Sequence, residues 1–292
     1  MKKIYKILTI VGTRPEIIKL SFVFKKLDKY FNHSIIHTGQ NYDYNLNEIF
    51  FRDLKIKKPK YFLNCAGETS VQTISNVISK TENIFKKEKP DGIVVYGDTN
   101  SCLSVITAKR LKIPIFHFEA GNRSFDQNIP EELNRKIVDH MSDINFVLTE
   151  HARRYLLEEG IKGDSIFKTG SFLPEIFKNF RTKLFESNIL KKLDLRKKEY
   201  LVFSFHREEN IENLVNLKKI AETLNYLAKV KKLKILVSTH PRTKKQLKKL
   251  KKFKFNNLVN FHNPFGFFDY INLQKNAYCT ISDSGTITEE SS

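Results

Sequence analysis

Apolar and polar positions along this chain form blocks whose period changes repeatedly. Short apolar runs rich in β-branched residues end in turn residues, and most are followed by stretches whose apolar positions recur every three or four residues. This is the pattern of a parallel α/β sheet, in which strands alternate with helices. The predicted strands are 7–11, 34–38, 61–63, 93–96, 113–116, 145–148, 200–204, 235–238, 258–261 and 279–282.

The pattern is interrupted once, near the middle of the chain. Gly170 and Pro174 follow the last run of the first half, and residues 175–198 are charged, helical and irregular before the alternation restarts. A length of 292 residues is enough for two domains. We therefore predict domains at 1–172 and 173–292.

Composition indicates a soluble protein of the cytoplasm. Hydrophobic residues make up 40% of the chain and charged residues 28%, which is ordinary for a globular protein. No apolar run approaches the ~20 residues that a membrane span needs, and the run at 7–11 is too short for a signal peptide. The three cysteines, Cys65, Cys102 and Cys279, lack metal-ligand spacing, so we expect reduced residues that are buried or half-buried.

The net charge of +19 raises the question of an anionic partner. The excess comes mostly from lysines scattered in pairs, without the aromatic-interleaved or helix-turn-helix motifs of nucleic-acid-binding proteins. We interpret it as a lysine-rich surface and predict neither a nucleic-acid nor a membrane partner. A polyanionic substrate would still benefit from the field.

Polar or ionisable residues follow most of the predicted strands. In open parallel sheets, ligands bind outside the carboxyl ends of the strands. Seven such ends, spread over both halves, predict a cleft between two domains. The residues are Arg14 with Glu16 and Lys19, Gln40, Asp98, Glu119, His206 with Arg207, His240 with Arg242, and Ser284 with Gly285.

Two of these turns open helices and suit phosphate groups. In the turn 12–16, free N–H groups together with Arg14 and Lys19 can bind an anion, although an ordinary turn with surface cations gives the same pattern. The turn 284–286 can cradle a diphosphate, with an acid one turn later on ribose hydroxyls. By itself this second motif is weak.

The stretch 117–145 concentrates carboxylates. Glu119 is predicted in a turn after a buried strand, and Pro130 opens a helix that carries Glu131 and Glu132. Such a group suggests acid–base chemistry. The alternative is that the two helix glutamates have no chemical role and lie at the helix N-terminus because the helix dipole favours negative charge there. The predicted apolar face of this helix consists of Leu133, Ile137 and Met141.

Six segments together resemble the non-hydrolysing UDP-N-acetylglucosamine 2-epimerase family. They occur in the family's order and cover essentially the whole chain. The segments are GTRPEIIKL (12–20), GDTNS (97–101), HFEAGNR (117–123), PEELNRKIVDH (130–140), FHRE (205–208) and SDSGTITEE (282–290).

The resemblance implies an isomerase with a glycosyltransferase-B-type α/β fold, in which two Rossmann-like domains face a central cleft. It implies inversion at C2 of a UDP-N-acetylhexosamine. The family eliminates UDP across C1–C2, forms a 2-acetamidoglycal, and adds UDP back after protonation on the opposite face. That scheme needs neither NAD nor an obligatory metal. The products are precursors of surface polysaccharides such as capsule and O-antigen, and we expect a homodimer.

The resemblance also implies roles for individual residues. Acid–base candidates are Asp98, Glu119 and Glu131, and which is the acid and which the base stays open. Arg14, Lys19 and His206 are implied to stabilise the diphosphate as the leaving group gains charge. Ser284, Gly285 and Glu290 are implied in the UDP-binding turn, with Glu290 on the ribose and Tyr270 near the uracil. Arg123 and Arg135 are implied to organise the carboxylate loop on the substrate side. Thr286 stands where the family usually has a second glycine.

Within the family, the segment from Glu119 to Asn145 resembles a narrower branch. The commoner enzymes typically have Leu where Asn122 stands, and a longer loop before Pro-Glu-Glu. The branch substrate is UDP-2-acetamido-2,6-dideoxy-L-talose, so either this sugar or UDP-N-acetylglucosamine is expected. Alternatives are a UDP-sugar-dependent glycosyltransferase of the same fold and an inactive nucleotide-sugar binder.

The end of the chain departs from the family pattern. Family members continue after Glu290 with a Gly-Lys-Pro strand and further helices, whereas this chain stops at Ser292. We therefore expect a C-terminal truncation that leaves the second domain incomplete.

Overall fold

The computed structural model describes residues 3–39, 51, 54–205, 207–239, 241–250 and 253–291. The chain divides into two units, Met1–Phe172 and Leu173–Ser292. Each unit is built on its own parallel sheet. The predicted α/β class with parallel sheets is therefore confirmed.

The first unit contains a seven-stranded sheet in the order β3-β2-β1-β4-β5-β6-β7. Every neighbouring pair is parallel. The strand order reverses between β1 and β4, which is where doubly wound sheets open a crevice for ligands. The strands are β1 (Lys6–Val11), β2 (Asn32–His37), β3 (Tyr61–Phe62), β4 (Gly92–Tyr96), β5 (Ile115–Ala120), β6 (Ile144–Val147) and β7 (Ile166–Lys168).

Helices connect these strands. Thr149 caps α6, as predicted, because its side chain accepts the N–H of Ala152 at 3.1 Å. Gly160, which follows this helix at φ +86°, supplies the left-handed residue after its end. The helices of this unit are α1 (Arg14–Lys19), α2 (Ser21–Tyr30), α3 (Ser70–Glu88), α4 (Ser104–Arg110), α5 (Pro130–Met141) and α6 (Glu150–Glu158), with 3₁₀ turns at Asn100–Leu103 and Gly163–Ser165.

The main core of this unit lies between the central strands and the helices that cover them. Leu8, Ile93 and Ile115 from three adjacent strands are fully buried together with Phe85 of α3 and Val138 of α5. Continuous apolar runs in β1 and β4 are what a strand covered on both faces requires. This packing places the carboxyl ends of β1, β4 and β5 side by side.

The second unit repeats the first four strands of this arrangement. Its parallel sheet has the order β10-β9-β8-β11, so the order again reverses, here between β8 and β11. The elements are β8 (Tyr200–Ser204), β9 (Lys234–Ser238), β10 (Val259–His262), β11 (Cys279–Ser282), α7 (Leu173–Asn179), α8 (Arg181–Glu186), α9 (Ile189–Lys192), α10 (Glu208–Ile211), α11 (Leu214–Lys231), α12 (Pro241–Leu247), α13 (Phe267–Asn276) and α14 (Thr286–Ser291).

The structure corrects one part of the predicted apolar face of α5, because Ile137 and Met141 pack against the core as predicted but Leu133 does not. Leu133 is 63% exposed, whereas Glu132, Asn134 and Asp139 are buried beside Val138. These polar side chains can be buried because backbone and side-chain partners in the neighbouring turns satisfy them. The helix therefore turns a polar face inward, which a hydrophobicity pattern does not predict.

Two further expectations need correction. Strand β5 runs to Ala120, so Glu119 lies within the end of the strand rather than in a turn after it. Cys65 and Cys102 are buried, as expected, but Cys279 is exposed because it begins β11 at the edge of the second sheet. All three thiols are free. Among the residues that the structure describes, no helix is long and apolar enough to cross a membrane.

Gly121 offers a test of the close packing behind β5. At φ +78°, a Cβ added here would lie 2.5 Å from the backbone oxygen of Ala152, whereas one added at Gly160 would meet nothing within 4 Å. Both alanine variants carry the ~1–2 kcal/mol cost of a left-handed conformation. Gly121→Ala should lose more free energy of unfolding than Gly160→Ala, as measured by urea denaturation. Equal losses would contradict this close approach.

Candidate active site

A buried carboxylate joins the two strand ends at the reversal point of the first sheet. Glu16, on α1, is only 3% exposed. Its Oε2 accepts the N–H groups of Gly12 and Thr13 after β1. Its Oε1 accepts the hydroxyl of Thr99, after β4, at 2.6 Å. One side chain thus ties the turn after β1 to the turn that carries Asp98.

This arrangement corrects the expected phosphate cradle in the turn 12–16. The N–H groups of Gly12 and Thr13 were expected to be open to an anion, but both donate to Glu16. The reciprocal contact is that of a capping box, in which the third helical residue turns back to the helix start. These two N–H groups are therefore occupied by a side chain of the protein itself.

The environment of Glu16 favours its neutral form. Burial raises its pKa to about 7, although the hydrogen bonds from Gly12, Thr99 and Thr13 act in the opposite direction. The nearby negative charge of Asp98 adds to the increase. Near neutral pH the protonated and ionised forms of this carboxyl group are therefore comparably populated.

Glu119 is held in an unusual backbone conformation at the end of β5. Its φ is +63°, and the register between β5 and β6 shifts between Phe118 and Ala120. Such a bulge redirects a side chain, and a non-glycine residue at positive φ is strained. The redirected carboxylate lies 2.9 Å from Nζ of Lys19 on α1, and both side chains are largely buried.

A second contact completes the surroundings of Glu119. The side-chain nitrogen of Asn122 lies 3.5 Å from Oε1 of Glu119. Nζ of Lys19 also lies 5.4 Å from the centre of the Tyr96 ring, within range of a cation–π interaction. Glu119 is therefore flanked by one cation and one amide.

Asp98 is held by side chains of α5, whereas Glu119 is held by Lys19 of α1. Nε and Nη2 of Arg135 approach its Oδ2 at 2.8 and 2.7 Å. Asn134 donates to the backbone oxygen of Asp98 at 2.8 Å. Thr99, rather than Asp98, caps the following 3₁₀ turn by accepting the N–H of Ser101. The carboxylate of Asp98 is thus engaged by Arg135 instead of the helix cap considered as an alternative.

The two glutamates that begin α5 have different environments. Glu132 is 1% exposed and accepts the N–H groups of Ser124 and Phe125 at 2.9 and 3.2 Å, while Nη1 of Arg135 lies 3.0 Å away. Burial acts to raise the pKa of Glu132, but these donors hold it below its ordinary value. Glu131, in contrast, is exposed at the start of the helix. Glu132 therefore organises the loop, whereas Glu131 faces solvent.

Arg123 lies behind Glu119 in a network of ion pairs. Its guanidinium group, which is inaccessible to solvent, contacts Asp139 at 2.7 Å and Glu159 at 2.6 Å. The structure therefore gives Arg123 protein partners within the unit. Arg135 differs because its side chain keeps 20% exposure beside Asp98.

The reversal point of the second sheet carries a cluster of hydroxyl groups. The hydroxyls of Ser204, at the end of β8, and Ser282, at the end of β11, are 2.8 Å apart. Tyr270 donates to Ser204 at 3.0 Å, and Ser282 accepts the N–H of Ser284 at 3.0 Å. Burial raises the pKa of Tyr270. The structure thus brings Tyr270 and Ser284 together, as two residues predicted to contact UDP.

The turn after β11 is tied to the loop after β8. Oδ2 of Asp283 accepts the N–H of Arg207 and the amide of Asn210, each at 3.0 Å. Gly285 is exposed, and Glu290 accepts a hydrogen bond from Gln274 of α13 at 2.9 Å. His206, Gln40 and His240, and the side chains of Arg242 and Thr286, lie outside the described residues.

The comparisons with known proteins decide the family. The family model described as UDP-N-acetylglucosamine 2-epimerase matches residues 25–292. This chain belongs to the UDP-N-acetylglucosamine 2-epimerase family. The members are epimerases, so the prediction of an isomerase is confirmed.

Similar structures and relatives agree with this assignment. A UDP-N-acetylglucosamine 2-epimerase structure from Rickettsia bellii is 50% identical, with a TM-score of 0.89, and the match covers 99% of this chain and 76% of that one. The Methanocaldococcus jannaschii enzyme in complex with UDP-GlcNAc and UDP is 38% identical, with a TM-score of 0.91, covering 98% and 80%. These similarities confirm the glycosyltransferase-B-type α/β fold.

A relative with a different named substrate is also close. The UDP-2,3-diacetamido-2,3-dideoxy-D-glucuronate 2-epimerase of Pseudomonas aeruginosa is 35% identical, and the match covers 98% of this chain and 80% of the relative. This sequence is thus similarly identical to epimerases that are named for different UDP-sugars.

Sequence reasoning omitted several residues that build the site. Glu16 was noted at a strand end but was not included among the site residues, although the spacing Thr13-x-x-Glu16 is a capping-box signature. Glu132 was noted beside Glu131 but was given no role of its own, and His117 and Asp139 gave no comparable signal. The contacts of His117 come from distant parts of the chain, so only the folded structure identifies this pair.

The raised pKa of Glu16 predicts a pH-dependent stability. Between pH 4.5 and about 7 the folded state holds the proton more tightly than the unfolded state, so the free energy of unfolding should fall as pH rises through this window. The full effect is about 3 kcal/mol. Glu16→Gln should remove this component, as measured by urea unfolding at a series of pH values.

Glu132→Gln is the matched control for this experiment, because the pKa of Glu132 is shifted in the opposite direction to that of Glu16. The pKa of Glu132 is lowered, so its stabilisation is present above the unfolded pKa and is lost as pH falls. The variant should therefore be destabilised most near neutral pH. The same pH profile for wild type and Glu16→Gln would argue against a buried, proton-binding Glu16.

Proposed function

We propose that this chain is a non-hydrolysing UDP-N-acetylhexosamine 2-epimerase that acts on UDP-N-acetylglucosamine or a closely related UDP-sugar. The observation that carries the proposal is the pair Asp98 and Glu119, at adjacent strand ends, each with a cation from a different helix. Family membership, and the similar enzyme in complex with UDP-GlcNAc and UDP, support the substrate class.

The proposed reaction proceeds by elimination and re-addition. A base removes the proton from C2 while the bond from C1 to the diphosphate oxygen breaks, which gives UDP and a 2-acetamidoglycal. An acid then delivers a proton to the opposite face of C2, and the diphosphate oxygen bonds to C1 again. The atoms balance, because one proton leaves C2, one arrives, and UDP is both leaving group and nucleophile.

Asp98 and Glu119 are the favoured proton carriers in this scheme. Their cationic partners Arg135 and Lys19 hold each carboxylate in one orientation, and positioned acids or bases contribute about 10²–10⁴-fold each. Glu131 is the third candidate, and its exposure leaves it available to a ligand.

The proposed hold on the leaving group involves cations and hydroxyls. Arg14 and Lys19 stabilise the growing negative charge of the diphosphate, a role that His206 is also predicted to share. In the second unit, Ser284, Gly285 and Glu290 are proposed to bind the UDP, with Glu290 at the ribose and Tyr270 towards the uracil. The hydroxyl cluster around Ser204 supports a polar ligand at that strand end.

The choice between sugars is proposed to depend on residue 122. The amide of Asn122 approaches Glu119, so a side chain at this position borders the carboxylate that would act at C2. We propose that Asn122 directs the enzyme to the L-talose branch, with a product for surface polysaccharide such as capsule or O-antigen. A cytoplasmic homodimer stays a prediction.

Solvent exchange at C2 tests the function. The wild-type chain should incorporate deuterium at C2 of UDP-N-acetylglucosamine or UDP-2-acetamido-2,6-dideoxy-L-talose in D₂O, as observed by NMR with UDP-sugar still intact. Asp98→Asn and Glu119→Gln should each slow exchange at least about 100-fold while UDP binding persists. Glu82→Gln, which removes an exposed carboxylate on α3, should exchange like wild type.

The same experiment separates the alternatives. Turnover that requires an added acceptor would indicate a glycosyltransferase, which family membership does not favour. Binding of UDP without exchange for any of the sugars would leave only a nucleotide-sugar binder and defeat the proposal.

Asn122→Leu tests the source of substrate preference. Replacing the amide by an apolar side chain removes the contact with Glu119 and makes the position like that of the commoner enzymes. The ratio of kcat/KM for UDP-N-acetylglucosamine to that for the L-talose substrate should increase by about tenfold, since one lost polar contact is worth roughly 1–2 kcal/mol. An unchanged ratio would mean that residue 122 does not select the sugar.

A further inference from the structure

A buried histidine on β5 contacts two oxygen atoms through its two ring nitrogens. His117 is 1% exposed. Its Nε2 lies 2.8 Å from the backbone oxygen of Gly97, and its Nδ1 lies 2.9 Å from Oδ1 of Asp139 in an ion-pair contact. The backbone oxygen of Gly97 accepts a hydrogen bond, so Nε2 carries a proton. Nδ1 lies at ion-pair distance from the carboxylate of Asp139 without an aligned hydrogen bond, and the negative charge there favours a proton on Nδ1 as well. The geometry therefore favours the charged imidazolium form.

Asp139 has the surroundings of an ionised carboxylate. Its side chain is inaccessible to solvent, and it lies 2.7 Å from Nη1 of Arg123. The N–H of Gly121 approaches both of its oxygens, at 3.3 and 3.2 Å. Arg123 in turn contacts Glu159, whose side chain is partly exposed, so the network contains two positive and two negative groups. Buried charges are tolerated only with this kind of pairing.

The electrostatics of His117 agree with this geometry. Burial by itself lowers its pKa, but the carboxylate of Asp139 and the carbonyl of Gly97 outweigh burial, so the pKa is raised. The charged groups around the pair are Arg123 and Glu159, and His140 contacts Glu159 at 3.2 Å from the exposed side. The stabilisation from a raised histidine pKa is complete below the unfolded pKa and is lost as pH rises through the folded value.

The pair contacts the backbone next to both candidate proton carriers. Gly97, whose oxygen accepts from His117, directly precedes Asp98. Gly121, whose N–H approaches Asp139, follows Glu119 by two residues. Both glycines have positive φ, at +72° and +78°, so each belongs to a sharp change in chain direction. One buried ion pair thus contacts both turns without using either catalytic side chain.

We propose that His117 and Asp139 are positioning residues for the epimerisation, holding the turns of Asp98 and Glu119 in the geometry that proton transfer at C2 requires. This inference rests on the proposed function. The pair acts through the backbone, so it governs the rate of the chemical step rather than the affinity for the UDP-sugar. Misplacement of a reacting group by about 1 Å can cost on the order of 10²-fold in rate.

The first test is the protonation state of His117, which does not depend on activity. Nitrogen-15 NMR of the wild-type chain at pH 7 should show two ring N–H protons for His117. Asp139→Asn, which keeps the size but removes the charge, should lose the Nδ1 proton or shift its titration to lower pH. A wild-type His117 with only one ring N–H would overturn the ion pair and with it the proposal.

The second test is kinetic. Asp139→Asn and His117→Gln should reduce the kcat of C2 exchange by about 100-fold, while KM and UDP affinity stay within about twofold of wild type. In Asp139→Asn, the decrease in rate on the alkaline side of the pH–rate profile should also move to lower pH. His140→Gln, an exposed histidine of the same helix as Asp139, serves as the matched control and should behave like wild type. A folded Asp139→Asn chain with wild-type kcat and pH profile would overturn the positioning role.

The two proposals fail in different ways. No exchange by the wild-type chain with any of the UDP-sugars would defeat the proposed function and this role together, even with two ring N–H protons on His117. Normal exchange in the wild type, combined with equal losses in kcat and affinity in Asp139→Asn, would leave the function intact and overturn only the positioning role.

Discussion

The first unit depends on one constraint: charged groups at the carboxyl edge of a parallel sheet must be paired when they are buried. Three strand ends meet there, and each is next to a carboxylate that is buried or only partly exposed. Glu16 is held by backbone N–H groups and a hydroxyl, Glu119 by a lysine, and Asp98 by an arginine. Unpaired charges at such positions would cost several kcal/mol each.

This pairing also explains the shape of the loops. Helix α1 reaches two strand ends, because Glu16 contacts Thr99 and Lys19 contacts Glu119. Helix α5 reaches the same region from the other direction, through Arg135 and Asp139. The strained backbone at Glu119 persists because the surrounding contacts determine it more strongly than its local preference does. Strain at a candidate catalytic residue is a common feature of pre-organised sites.

The fold was largely predictable because strand and helix periods depend on local sequence. Strands 200–204 and 279–282 agree with β8 and β11 at both ends, and the helix cap at Thr149 was read from its position before a helix. The errors lie where polar residues are buried. The strand end at Glu119 and the burial of Asn134 on α5 both depend on partners more than ten residues away in sequence, which no local period records.

The sequence by itself determined the α/β class, the positions of most strands and the family, because motif order and hydrophobic period are properties of the chain. It also singled out Asp98 and Glu119, which follow or end strands. Only the tertiary structure decided that Glu16 is buried against Thr99, that Glu132 is internal while Glu131 is exposed, and that His117 and Asp139 pair behind the site. The reason is physical: hydrogen-bond partners and burial are set by which distant strands and helices come together.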